Sequence, residues 1–150
     1  MHQMHILVIN SGSSSLKFRV FDMRDEQEIA AGKIEHIGED AAGPADHRAA
    51  LAQALAGIAD RDAIVAVGHR VVHGGLLYSQ PVRVDAQVLD DLAQFIPLAP
   101  LHQPHNLAPI RLLLERRPEL PQVACFDTAF HRVQPELAQI ASAVGMSEYH

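Results

Sequence analysis

The segment ILVINSGSSSLKFRVF at residues 6–21 constrains the fold most, because it contains two strand patterns separated by small residues. Its first four residues are aliphatic and predict a buried strand that ends at Asn10. Residues 11–15 read SGSSS and predict a turn. Apolar and basic residues then alternate over residues 16–20, which predicts a second strand with two different faces. The chain is therefore expected to begin with a β-hairpin.

The turn of this hairpin has the composition of a phosphate-binding loop. Its small residues let the backbone approach a ligand, its N–H groups and hydroxyls donate hydrogen bonds, and Lys17 adds a positive charge. It is not a Walker loop, because no Gly-Lys-Ser/Thr follows and the next element is a strand. It also lacks the second glycine of a nucleophile elbow. Phosphoryl transfer is the leading hypothesis, and a turn that only reverses the chain is the alternative.

Composition narrows the functional classes further. The 150 residues suit one domain with a core, and a net charge of −6 argues against a nucleic-acid partner. No apolar segment predicts a signal peptide or a membrane helix. Cys125 is the single cysteine and lies in an apolar run, so we expect a reducing, cytoplasmic setting. The ten histidines are scattered along the chain. His69 and His73 are four residues apart, a spacing that aligns side chains on a helix, but they lie in a predicted strand, which disfavours a zinc site.

The remaining pattern alternates strands and helices and predicts a mixed α/β domain. Strands are expected over residues 28–37, 63–72 and 121–126, and residues 38–44 and 97–106 are expected to be loops, the second because of its prolines. Helices are expected over residues 47–59 and 88–95, capped by Asp46 and Asp85, and over residues 107–117 and 137–144.

Five residues outside the hairpin are candidates for a binding site. Arg70 lies in an apolar strand and needs either an anionic ligand or the carboxylate of a structural ion pair. Val72 shares its face, so the two suit a small carboxylate with a short tail. Asp127 follows a strand end, where α/β sheets place ligands, although a helix N-cap is the alternative. Leu101 and His102 lie in the proline-rich loop and are expected to form a pocket wall or lid.

Four segments together resemble the acetate kinases and related acyl-phosphate kinases. They follow the order of that family over about residues 5–131. The segments are ILVINSGSSSLKF at 6–18, VGHRVVHGG at 67–75, PLHQPHN at 100–106 and FDTAFH at 126–131. The resemblance implies an actin-like (ribonuclease H-like) kinase fold in which two domains face a cleft. In this domain it implies a mixed sheet, flanking helices and an N-terminal β-hairpin phosphate loop.

The resemblance also implies an activity. Such kinases transfer the γ-phosphoryl group of ATP reversibly to acetate, which gives acetyl phosphate and ADP. Magnesium or manganese is the expected cofactor, propionate is the alternative substrate, and a homodimer is the expected assembly of the full-length family. By motif, Asp127 would be the essential active-site carboxylate. The other positions would bind acetate (Arg70, Val72, Leu101, His102), the ATP phosphates (Ser13, Ser15, Lys17) and magnesium (Asn10).

Residues 132–150 depart from that pattern, and the later family segments are absent from the sequence. We therefore expect residues 1–150 to be the N-terminal acyl- and phosphate-binding domain without the C-terminal nucleotide-binding domain. It would be either a fragment or the product of a truncated gene, with little or no turnover alone. The alternative is a non-catalytic remnant that keeps the fold and binds anions or acyl phosphates weakly.

Overall fold

A computed structural model describes residues 4–12, 14–38, 44–58, 61–71, 82–93, 103–126, 137 and 140–145. Six strands lie in this part of the chain: β1 (His5–Ser11), β2 (Leu16–Asp22), β3 (Gln27–Ile34), β4 (Ile64–Val71), β5 (Val82–Arg83) and β6 (Gln122–Phe126). The same part of the chain contains three helices: α1 (His47–Ala56), α2 (Ala86–Ala93) and α3 (Gln103–Arg116). A short 3₁₀ helix, Arg61–Ala63, leads into β4.

The strands form one mixed sheet in the order β3-β2-β1-β4-β6-β5. β1, β4 and β6 run parallel at its centre, so their carboxyl ends meet at one edge. β2 and β3 continue the sheet antiparallel on one side, and β5 pairs antiparallel with β6 on the other. The predicted mixed α/β domain with an N-terminal hairpin is confirmed.

The two faces of the sheet have separate apolar cores. On one face, Leu7 and Val67 pack against α1 and α3 through residues such as Leu51 and Leu112. The other face carries Ile6, Val8, Ala66, Val123 and Cys125, covered by Leu137 and Ile140. A third cluster joins α2, α3 and the β5 edge. This division follows from the sequence, because successive side chains of a strand point to opposite faces.

Two predicted boundaries were wrong at the ends of elements. β3 ends at Ile34 instead of residue 37, and His36 takes a left-handed φ of 59° that a strand does not allow. α1 begins after Asp46 as predicted, since the Asp46 carboxylate accepts a hydrogen bond from the Ala49 N–H. It ends at Ala56 instead of residue 59, with Gly57 as its C-cap.

The start of α3 was also predicted wrongly. Residues 103–106 were expected to be loop because of the prolines, yet the helix begins at Gln103. Pro104 lies in the first turn of α3. Backbone N–H groups in a first turn have no acceptor inside the helix, so proline, which lacks an N–H, costs no hydrogen bond there. The edge strand β5 was not predicted at all, because two residues carry no detectable alternation.

Candidate active site at the carboxyl edge of the sheet

A row of polar residues crosses the sheet where the parallel strands end. Asn10 on β1 pairs with Lys17 on β2 and with Arg70 on β4. Arg70 in turn pairs with Cys125 on β6. Since paired residues share a face and strands lie about 4.8 Å apart, the Cα atoms of Lys17 and Arg70 lie about 10 Å apart with Asn10 between them. Two cations and an amide are therefore within reach of one small anion.

This polar row is the open rim of a face that is apolar along β1 and β4. Asn10 and Lys17 are exposed and Arg70 is half-buried, whereas Val8 is buried two residues earlier on the same face. Gly68 lies one layer below Arg70 and is covered by Ile140. The helical residues near Ile140 thus close the apolar part of the face and leave the rim to solvent.

The turn between β1 and β2 is held tightly. The Gly12 N–H donates to the Ser15 carbonyl at 2.9 Å, and a Cβ on Gly12 would lie 2.8 Å from the Ser15 hydroxyl oxygen. Only glycine therefore fits at residue 12 without a shift of Ser15. The turn is tied to the rest of the protein by the Ile37 N–H, which donates to the Ser14 carbonyl at 3.0 Å.

His47 forms a second hydrogen bond that anchors this turn, and the sequence did not predict it. Its Nε2 lies 2.6 Å from the Gly12 carbonyl oxygen, although the two residues are 35 positions apart. The one local signal was the Asp46 cap, which predicts where α1 begins and therefore where residue 47 lies on that helix. Nothing in the sequence near Gly12 pointed to this partner.

A second buried histidine supports Arg70 from the opposite face of the sheet. His69 Nε2 lies 2.6 Å from Gln122 Oε1, and Gln122 Nε2 donates to the Ile110 carbonyl at 3.4 Å. Burial lowers the pKa of His69 to about 4, so the ring is neutral at neutral pH and donates through Nε2. His69 therefore joins β4 to β6 and α3, and its chemistry here is structural.

Several predicted site residues lie outside the described part of the chain: Ser13, Val72, Leu101, His102 and Asp127. Two of them follow paired strand ends directly in sequence, since Val71 pairs with Phe126 at the ends of β4 and β6. The structure brings Asn10, Lys17 and Arg70 together, and Ser15 lies in the adjacent turn with its hydroxyl over Gly12.

The donor set at this edge fits a hard divalent cation. Asn10 is exposed and offers an amide oxygen, a ligand type that magnesium accepts alongside waters and phosphate oxygens. Among the described residues no three His, Cys, Asp or Glu side chains cluster into a protein-only metal site.

Comparisons with known proteins identify the family of this chain. The model of the acetokinase family matches residues 5–147. The chain belongs to the acetokinase family. The match extends past the predicted limit near residue 131, so most of the segment that was expected to depart from the family belongs to it.

Named relatives of the family are acetate kinases. The chain is 46% identical to an acetate kinase of Streptomyces coelicolor, with 92% of this chain and 40% of that protein covered. It is 47% identical to one of Rhizobium meliloti, with 85% and 38% covered. The chain thus spans about 40% of the length of these curated relatives.

Solved structures of the same family share the fold. The acetate kinase of Porphyromonas gingivalis superposes with a TM-score of 0.76 at 32% identity, over 85% of this chain and 38% of that one. A propionate kinase of Francisella tularensis gives 0.72 at 37% identity, over 87% and 38%. These neighbours confirm the predicted kinase-domain fold. Within the described residues, no helix is long and apolar enough to cross a membrane.

Proposed function

We propose that these residues form the N-terminal acyl- and phosphate-binding domain of an acetate-type kinase. The observation that supports this most is the row in which Lys17, Asn10 and Arg70 stand side by side at the carboxyl edge of the sheet. In open α/β sheets this edge is where ligands bind. The reaction is the reversible transfer of the ATP γ-phosphoryl group to acetate, which gives acetyl phosphate and ADP.

The proposed site residues bind two different reactants, acetate and the phosphates of ATP. Arg70 binds the acetate carboxylate, for which a planar guanidinium offers two parallel hydrogen bonds. Lys17 and the hydroxyls of Ser13 and Ser15 bind the phosphates of ATP. Because phosphoryl transfer needs mainly alignment and neutralisation of charge, two cationic residues whose Cα atoms lie about 10 Å apart can hold a carboxylate and a phosphate side by side.

Asn10 and Asp127 are the residues proposed to bind the metal. Magnesium or manganese, when bound, neutralises charge on the phosphates, and the Asn10 amide oxygen and the Asp127 carboxylate would hold it. Carboxylate oxygen is already a competent nucleophile, so no general base is required. Asp127 would therefore orient the metal or Arg70, and His102 would lie beside the transferred group.

Acetate is the proposed substrate, with propionate second. Val72 and Leu101 would line a small pocket for the methyl group, and one extra methylene changes discrimination by only about 1–3 kcal/mol. The similarity to a propionate kinase supports keeping propionate in the test. A cytoplasmic location and a homodimer of the full-length protein are part of the same proposal.

A second candidate is a domain that binds acyl phosphates but does not turn them over. This candidate is favoured by the extent of the match, because the chain spans only about 40% of the length of its relatives. Charge stabilisation in phosphoryl transfer is shared among several cations, and the loss of one arginine costs about 10³–10⁵ in rate. We therefore expect binding by residues 1–150 with little or no turnover.

Turnover by residues 1–150 alone is tested by trapping the product with hydroxylamine. The chain is incubated with magnesium-ATP and acetate or propionate, and acyl hydroxamate is measured for the wild type and for Asp127→Asn. No hydroxamate from either protein, with acetyl phosphate binding retained, supports the binding domain. Hydroxamate that disappears in Asp127→Asn establishes catalysis by these residues alone. Failure to bind acetyl phosphate contradicts both candidates.

A further inference from the structure

We propose that His47 is a positioning residue for the phosphate turn: it holds the Gly12 carbonyl away from the anion that binds at the tip. The proposal rests on the proposed function, because it assigns His47 to the phosphate end of that site. It concerns a residue on α1, outside every segment that suggested the function.

The contact has the geometry of a strong, protected hydrogen bond. His47 Nε2 and the Gly12 carbonyl oxygen are 2.6 Å apart, and His47 is only 4% exposed. Because a carbonyl can only accept, Nε2 carries the proton and donates. A hydrogen bond shielded from water is costly to leave unmade, so this one fixes the Gly12 carbonyl in direction.

The histidine itself is held by a rigid support. It is the first residue of α1, directly after the N-cap Asp46. The Asp46 carboxylate accepts from the Ala49 N–H at 2.8 Å, and the Asp46 carbonyl accepts from the Ala50 N–H at 3.0 Å. Ala50 is fully buried in the core under the sheet. The position of the imidazole is therefore set by α1 and transmitted to the turn.

Holding the carbonyls inward matters for anion binding. The Gly12 carbonyl is bound by His47 and the Ser14 carbonyl by the Ile37 N–H, so neither oxygen is left to repel an anion at the tip. A planar trans peptide directs its C=O and N–H to opposite sides. The Ser15 N–H, which follows the Ser14 carbonyl, therefore points away from Ile37. A backbone N–H directed in this way can donate to an anion at the tip.

The test separates phosphate binding from carboxylate binding. Tripolyphosphate and acetate are titrated separately into the wild type, His47→Gln and His47→Leu, and affinities are measured by NMR. Glutamine keeps an N–H donor and leucine removes it. We expect His47→Leu to weaken tripolyphosphate binding about tenfold or more, which corresponds to about 1.4 kcal/mol. The tripolyphosphate affinity of His47→Gln is expected to lie between those of the wild type and His47→Leu. Acetate affinity is expected to be the same in all three proteins.

The matched control is His5→Leu. His5 is 2% exposed and lies at the opposite end of β1 from the turn, so its loss disturbs a buried histidine without touching the turn. It is expected to leave the tripolyphosphate affinity unchanged. If His47→Leu does not fold, His47→Asn replaces it, since asparagine is too short to reach the Gly12 carbonyl.

Three outcomes would overturn the proposal. Unchanged tripolyphosphate affinity in His47→Leu refutes the positioning role and leaves the proposed function standing. Equal loss of both ligands indicates that His47 only stabilises the fold, which also refutes it. No binding of either ligand by the wild type refutes the proposed function and the positioning role together.

Discussion

At the scale of single residues, Arg70 illustrates what sequence reasoning can and cannot reach. A guanidinium in an apolar strand predicted an anion or a carboxylate partner, and strand alternation predicted its face. The pairing with Asn10, 60 positions away, came only from the structure. His47 was beyond prediction for the same reason, because its partner Gly12 is distant in sequence.

We expect Arg70→Ala to weaken acetate binding more than tenfold and tripolyphosphate binding much less. The bidentate carboxylate contact is lost, whereas Lys17 and the turn remain. Both affinities are measured by NMR titration. Arg19→Ala is the matched control, because Arg19 lies on the same face of β2 and forms an exposed ion pair with Glu28. Equal losses for both ligands in Arg70→Ala would contradict the assignment of Arg70.

His69 makes a prediction about pH. Its pKa is about 4 in the folded protein against 6.5 for the free side chain, so protonation favours the unfolded state. This contribution to stability is present above pH 6.5 and is lost as the pH falls toward 4. We expect the free energy of unfolding to fall by about 2 kcal/mol between pH 7.5 and pH 5 from this group. Urea titrations of the wild type and His69→Gln check it, and parallel pH dependences would refute it.

At the scale of elements, strongly patterned segments were predictable and their ends were less so. The hairpin and β4 follow from apolar runs and alternation, and the start of α1 follows from the Asp46 cap. The start of α3 was predicted wrongly because prolines were taken as a sign of a loop. Proline is also common in the first turn of a helix, where Pro104 lies. The early end of β3 depends on the backbone of His36, which composition does not reveal.

The packing of the C-terminal helical residues on β4 is testable through Gly68. A Cβ at this position would lie 2.2 Å from Ile140 Cδ1 and 2.9 Å from Cγ1 in a buried layer. We expect Gly68→Ala to destabilise the fold by about 1–3 kcal/mol through overpacking. Adding Ile140→Val removes the Cδ1 atom and is expected to restore part of the loss. Urea denaturation of both single variants and the double variant measures the coupling, and strictly additive effects would contradict the contact.

At the scale of the whole molecule, one sheet brings together residues of three of the four segments that resemble the family. Parallel β1, β4 and β6 end at one edge, and each is followed by a segment that had been singled out from the sequence. The order of those segments was enough to predict the family and the fold, which the family match and the solved structures confirm. The spatial row of Lys17, Asn10 and Arg70 required the strand register.

The central claim is that this edge of the sheet binds an acyl phosphate. The most direct measurement is an NMR titration of the ¹⁵N-labelled chain with acetyl phosphate. We predict saturable shifts for amides of the turn around Gly12 and of the carboxyl ends of β1 and β4, with Ile29 on the distant edge strand unchanged. The absence of saturable shifts, or shifts confined to the opposite ends of these strands, would contradict the account.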